Sequence, residues 1–208
     1  MQEIITDVFE NINKFDLVVI PCSQFLKKTG DVCIDKKNPN STVAKLFKKI
    51  PSLSMEMGNV VETYGSCPFI FHTVLGTTRP CKLATFPTTP SAQSIRPENR
   101  EKYILPHLVK GMKGSQTLVP GWMMYPRSDI VEFSCIKLAE VIRWYKLRAV
   151  VLPWDGFNIP EGDRDQETRI KSILNKYLPN EVFLSTLPKE EKPTQSMVTS
   201  TVEYDDAE

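Results

Sequence analysis

The sequence has only two histidines, His72 and His107, no Cys-x-x-Cys pair, and five scattered cysteines: Cys22, Cys33, Cys67, Cys81 and Cys135. Structural zinc needs four nitrogen or sulfur ligands at short, paired spacings. This chain does not supply them, and no metal or cofactor is expected. Scattered, odd-numbered thiols suit a reducing compartment. An excess of one charge is missing as well: 26 basic residues face 25 acidic ones, for a net charge of +1. No basic stripe dominates, so no nucleic acid partner is expected. No apolar run reaches the roughly 18 residues that span a bilayer. The start, Met1-Gln2-Glu3-Ile4-Ile5-Thr6-Asp7, lacks the basic region and apolar core of a secretion signal. These absences predict a cytoplasmic protein without a membrane partner.

What is present is patterned. Three short apolar runs end on a proline: Leu17-Val18-Val19-Ile20-Pro21, Leu83-Ala84-Thr85-Phe86-Pro87 and Val150-Val151-Leu152-Pro153. Continuous runs rich in β-branched residues predict strands buried on both faces. Proline lacks a ladder donor and is expected just past each strand end. Three strands ending alike predict three loops on one edge of an open α/β sheet, the edge where such folds bind ligands.

Between these strands, Ser41 is placed to cap a helix from Thr42 to Lys49, with Val43, Leu46 and Phe47 at helical spacing. Val60 to Tyr64 and Phe69 to Leu75 read as a hairpin turning at Gly65-Ser66. Residues 90–128, with the phrase Gly121-Trp122-Met123-Met124-Tyr125, read as an irregular insertion folding over the sheet edge. Val131, Cys135, Leu138, Ile142 and Tyr145 mark one face of a long helix capped by Ser128 or Asp129. Ile170, Ile173, Leu174 and Tyr177 mark another, before a last strand over Glu181 to Thr186. From Pro188 the composition predicts a flexible acidic tail, residues 188–208. With 41% hydrophobic residues, residues 1–187 suffice for one core. The expected architecture is α/β: three layers, α/β/α, with a mixed central sheet.

The strand-end loops carry the candidate chemistry. Asp7 follows a strand and either accepts from an exocyclic amine or serves as a turn aspartate. Lys27 to Val32 form either an anion-binding nest or a surface turn. The loop from Asp155 to Asp163 leads into a helix, which Asp163 or Asp165 can cap.

Together these segments resemble the macro domain family, the ADP-ribose-binding fold, in a divergent microbial or viral macro-like branch. Ile4-Ile5-Thr6-Asp7-Val8-Phe9 is similar to the family's strand followed by an Asp-hydrophobic pair at the adenine. Asp16 to Ser23 resembles the strand ending at the distal ribose, and Phe25 to Val32 the entry to the first phosphate loop. Leu83 to Thr88 is similar to the central strand. Val150 to Gly156, with the helix through Leu174, resembles the second phosphate loop and its helix. The resemblance implies a ligand site of Asp7, Val8, Cys22, Ser23, Val32, Cys33, Ile34, Trp154, Asp155, Gly156, Phe157 and Asn158. Departures are specific. Ser23 or Gln24 stands near the family's asparagine, and Ile34-Asp35-Lys36-Lys37-Asn38 replaces its glycine-rich loop. Thr88 and Thr89 stand where some relatives have a nucleophilic lysine.

Three functions follow. One is binding of ADP-ribose or a related nucleotide. Another is hydrolysis of an ADP-ribosyl linkage, with Asp35, Asp155 and Asp163 as candidate carboxylates; a nucleophilic Cys22 has no histidine nearby in sequence. The third is a non-catalytic scaffold with a degenerate nucleotide site, in which the 90–128 insertion contacts a protein partner.

Overall fold

The computed structural model describes residues 1–33, 41–65, 67–74, 80–112, 114 and 117–188. Six strands form one sheet: β1 (Gln2–Ile5), β2 (Leu17–Ser23), β3 (Ile70–Val74), β4 (Cys81–Thr89), β7 (Val150–Pro153) and β8 (Val182–Thr186). Their spatial order is β1-β8-β7-β2-β4-β3. All neighbours pair parallel except β3, which runs antiparallel to β4. Alternation along β2 sends Leu17 and Val19 to one face and Val18 and Ile20 to the other, and all four are fully buried. A strand buried on both faces requires helices on both, hence the continuous apolar runs in the sequence.

One face is covered by α1 (Thr42–Lys49) and α2 (Leu53–Tyr64), whose Leu46, Leu53, Met57 and Val61 pack on Val18, Ile20 and Leu83. The opposite face is covered by α5 (Ser128–Tyr145) and α6 (Arg164–Tyr177). There Val131, Cys135, Leu138, Ile142, Ile170 and Leu174 pack on Leu17, Val19, Phe86 and Leu152. The result is the expected three-layer α/β/α arrangement. Ser41 caps α1 by accepting the Ala44 N–H at 3.1 Å, as its position predicted. Neither expected side chain caps α5, where Arg127 holds the N-cap position.

Pro21 and Pro87 lie inside their strands, each two residues before the end, and Pro153 is the last residue of β7. Pairing of β2 with β7 extends only over Leu17–Val150 and Val18–Val151, whereas pairing with β4 continues to Ser23. Past Val18 the two strands part, so a proline there costs no ladder bond toward β7. Their parting opens a crevice at the carboxyl edge.

The hairpin expected from Val60 does not form. Val60 to Tyr64 are the last residues of α2, and β3 pairs instead with β4, Ile70 opposite Ala84 and Val74 opposite Cys81. The β-branched pair Val60-Val61 suggested a strand. The stripe Leu53, Met57, Val61 prevails because it buries against the sheet. Gly58, the other feature that weakens the helical pattern, is required by packing. A Cβ there would stand 1.8 Å from the Gly30 carbonyl oxygen of the loop seated on α2. Ser66, Leu75 and the tail from residue 189 lie outside the described residues.

The insertion is built from short elements. It contains a two-stranded sheet of β5 (Ala92–Ser94) and β6 (Leu118–Pro120), two one-turn helices, α3 (Arg100–Tyr103) and α4 (Pro106–Val109), and the turn Gly121–Met123. Ile95, Ile104, Val119, Met123 and Met124 form its own small core. Short elements with their own turn residues leave no long period for a sequence to display. Among the described residues, no helix is long and apolar enough to cross a membrane. Nor do three or more His, Cys, Asp or Glu side chains among them converge as metal ligands would.

Candidate functional site

The crevice between β2 and β7 widens into a cleft of about 50 Å³. Its floor is the end of β2 (Pro21, Cys22, Ser23) and the end of β4 (Thr88, Thr89). One side is the turn Asp155–Asn158 after β7, and another is the start of α1 (Ser41, Val43). The insertion contributes Gly121, Trp122 and Met124 as a third wall. Of the predicted residues, Cys22, Ser23, Val32, Cys33, Asp155, Gly156, Phe157 and Asn158 border this cleft.

Asp155 is the carboxylate placed there. One oxygen, Oδ2, accepts the Thr42 N–H at 2.6 Å, so Asp155 holds the first turn of α1 from a different loop. The other, Oδ1, is buried and has no hydrogen-bond partner among the described residues. Burial pushes the carboxyl above its ordinary value, against the Thr42 hydrogen bonds, and the nearby Asp7 charge adds to the rise. Gly156 permits this approach. A Cβ there would lie 2.9 Å from Pro21 ring carbons and 3.1 Å from Val43 Cγ2.

A second orphan atom belongs to another residue of the same lining. Thr89 is only 5% exposed, yet its Oγ1 has no partner among the described residues. Its neighbours are satisfied: Thr88 Oγ1 donates to the Cys22 carbonyl at 3.1 Å, and Ser23 Oγ donates to the Pro90 carbonyl at 3.3 Å. A buried polar atom left unpaired costs about 1–3 kcal/mol, so two around one cleft mark a place for a polar ligand or bound water. The pair has one requirement: Asp155 Oδ1, when ionised, only accepts, while Thr89 can donate or accept. Hydroxyl or amine groups satisfy both.

Cys22 is held as a thiol. Burial pushes its thiol up to about 12, outweighing a backbone hydrogen bond from Phe86.

Other predicted residues are engaged elsewhere. Asp7 makes an ion pair with Lys45 and accepts from the Phe9 and Glu10 N–H groups at 2.9 and 3.3 Å. Burial alone would raise its carboxyl, but the Lys45 and backbone hydrogen bonds hold it below the ordinary value. Val8 is fully buried in the core beside α1 and α2. Val32 borders the cleft, but its N–H is given to the Ser54 carbonyl at 3.2 Å. Trp154 packs against Phe157 at 5.2 Å, with the Lys171 ammonium over its ring. Asp163 caps α6 by accepting the Gln166 N–H at 3.2 Å and binds the Tyr125 side chain. Ile34 and Asp35 lie outside the described residues.

The insertion wall and Thr89 were not among the predicted site residues. Thr89 had a usable signal, a polar pair directly after a buried strand. Gly121, Trp122 and Met124 had none, because thirty residues of independent structure separate them from the sheet edge they cover.

No protein-family model matches the chain, and no curated protein matches it in sequence. Among solved structures it is similar to the macrodomain of Thermus aquaticus DarG, at 15% identity and a TM-score of 0.51, over 90% of this chain and 97% of that one. It is also similar to the macrodomain of Mycobacterium tuberculosis DarG, at 13% identity and a TM-score of 0.41, over 82% and 88%. The Thermus likeness spans nearly both chains, so the chain has the macrodomain fold.

Proposed function

We propose that the cleft binds ADP-ribose or a related nucleotide at the carboxyl edge of the sheet. The observation that carries this reading is that two residues lining one cleft, Thr89 and Asp155, each hold a buried oxygen, Oγ1 and Oδ1, with no partner among the described residues. Sugar hydroxyls can donate to Asp155 and exchange a hydrogen bond with Thr89, which phosphate oxygens cannot do for an ionised Asp155. The macrodomain fold supports the ligand class. A water needs about 10–15 Å³ of such space, so a cleft of about 50 Å³ holds a few waters rather than a whole nucleotide. In this reading the cleft takes a sugar hydroxyl edge and the rest of the nucleotide lies outside it.

Hydrolysis of an ADP-ribosyl linkage is the second reading, and Asp155 is the observation that favours it. A buried carboxylate with a raised pKa beside a water-sized space is placed to activate water against an anomeric carbon. Asp163 is committed to the α6 cap and Tyr125.

Calorimetric titration with ADP-ribose tests the proposal, with Thr89→Val as the informative variant. Valine removes an unsatisfied buried hydroxyl, so stability is expected to hold or rise. Binding is expected to weaken about 3- to 10-fold, the worth of one hydrogen bond. Saturable binding unmoved by Thr89→Val, or no heat at all, would reject the assignment.

A further inference from the structure

We propose that a second concavity, under the insertion and away from the cleft floor, binds a small organic oxyanion. It has a volume of about 270 Å³ and lies between α3, the segment after the Gly121–Met123 turn, and the first turns of α5 and α6. Lys102, Arg127 and Arg169 supply charge, and Tyr103, Met124 and Tyr125 supply apolar surface. Three cations face this space with one carboxylate on its lining, Asp129. Arg127 forks onto Asp129, Nε at 3.0 Å and Nη2 at 2.5 Å, and its Nη1 reaches Gln93 at 3.3 Å. Arg169 Nη2 donates to the Pro126 carbonyl at 3.1 Å and to the Gln166 side chain. Lys102 has no carboxylate partner among the described residues, and its ammonium lies 5.3 Å from the Tyr103 ring centroid. Asp163, which holds the Tyr125 hydroxyl, is already committed to the α6 cap, and Glu101, Asp165 and Glu167 lie on the bordering elements but not on the lining.

The chemistry selects the ligand class. Guanidinium forks and an ammonium match the oxygens of a phosphate or carboxylate. The α5 N-terminus also borders the space, its Asp129 and Ile130 N–H groups already given to the Asp129 carboxylate. Tyr103, Met124 and Tyr125 make no use of a bare inorganic ion but can pack against an aromatic or aliphatic body. A phosphate ester or an organic carboxylate meets both demands. Met124 also lines the first cleft, so the two concavities share one side chain.

The test is calorimetry on the full chain at low ionic strength with phenyl phosphate, inorganic phosphate and benzoate. Phenyl phosphate or benzoate is expected to bind more tightly than inorganic phosphate, and the tighter of the two identifies the natural oxyanion as an ester or a carboxylate. Arg169→Gln and Lys102→Gln are each expected to weaken binding about 3- to 10-fold. Asp129→Asn removes the competing carboxylate and is expected to tighten binding by a similar factor, a gain that misfolding cannot imitate. Thr89→Val is expected to leave this binding unchanged. No saturable heat at millimolar probe, or an affinity that none of the three charge variants moves, overturns the proposal.

Discussion

Gly121→Ala tests how the insertion is anchored to the sheet. Gly121 donates its N–H to the Ser91 carbonyl at 3.0 Å, at the point where the insertion returns to the end of β4. An added Cβ would stand 1.6 Å from the Pro90 carbonyl oxygen, 2.8 Å from its carbon and 2.8 Å from Ser23 Oγ. The obstacle is backbone, so no rotamer relieves it, and the two segments must separate by well over an ångström. Overpacking of this kind costs about 3 kcal/mol. The lower backbone entropy of an unfolded alanine chain returns up to about 1 kcal/mol. The net expectation is a loss of about 2 kcal/mol, or about 4–8 °C in Tm for a domain of this size. Gly111→Ala is the control. Its Cβ would meet only the Leu108 oxygen, at an ordinary 3.7 Å, and should change stability by less than about 0.5 kcal/mol. Urea denaturation and calorimetry of both variants decide the matter. A Gly121→Ala protein within 0.5 kcal/mol of wild type (about one ordinary surface change) would refute the close packing of insertion on sheet, and with it the third wall of the cleft.

Asp155→Asn keeps an acceptor for the Thr42 N–H but removes a buried charge. The folded pKa of Asp155 lies above the ordinary 3.8, so its ionisation favours the unfolded chain, and stability falls as pH rises through the folded pKa. The asparagine variant is thus expected to be at least as stable as wild type at neutral pH, with this advantage vanishing below the ordinary value; urea midpoints across pH measure it, and a variant less stable at neutral pH contradicts it. Asp7 has the opposite sign: its folded pKa is lowered, so its contribution is present above 3.8 and lost as pH falls through the folded value. Asp7→Asn should cost about 0.5–1 kcal/mol at pH 7 by loss of the Lys45 pair, and nothing in acid. Burial pushes the Cys22 and Cys135 thiols up to about 12. Alkylation of the native protein followed by mass spectrometry should therefore label the half-buried Cys33 and Cys67 first, and Cys22 labelled as fast as Cys67 would show the cleft floor open to reagent.

The sequence by itself determined the layers of this protein. Runs such as Val150-Val151-Leu152 can be buried only when both sheet faces are covered. The stripes Val131-Cys135-Leu138-Ile142 and Ile170-Ile173-Leu174 supply one cover, and the helix after Ser41 belongs to the other. Burial enforces these patterns locally, at spacings of two or of three and four residues, so they can be read without knowing what packs against them. The edge where ligand would bind was legible for the same reason, since the runs end together. Tertiary structure decided the rest. Val60-Val61 became helix because Leu53 and Met57, outside the short window that suggested a strand, committed the segment to the sheet surface. Asp7, Asp155 and Asp163 are similar loop aspartates in sequence. Folding gave Asp7 a lysine and Asp163 a helix cap, and left Asp155, on the cleft lining, with one buried oxygen that has no partner among the described residues. Gly121 and Trp122 reached that cleft only through a separately folded insertion. Which polar atoms remain unpaired depends on long-range neighbours, and no local pattern in the sequence encodes it.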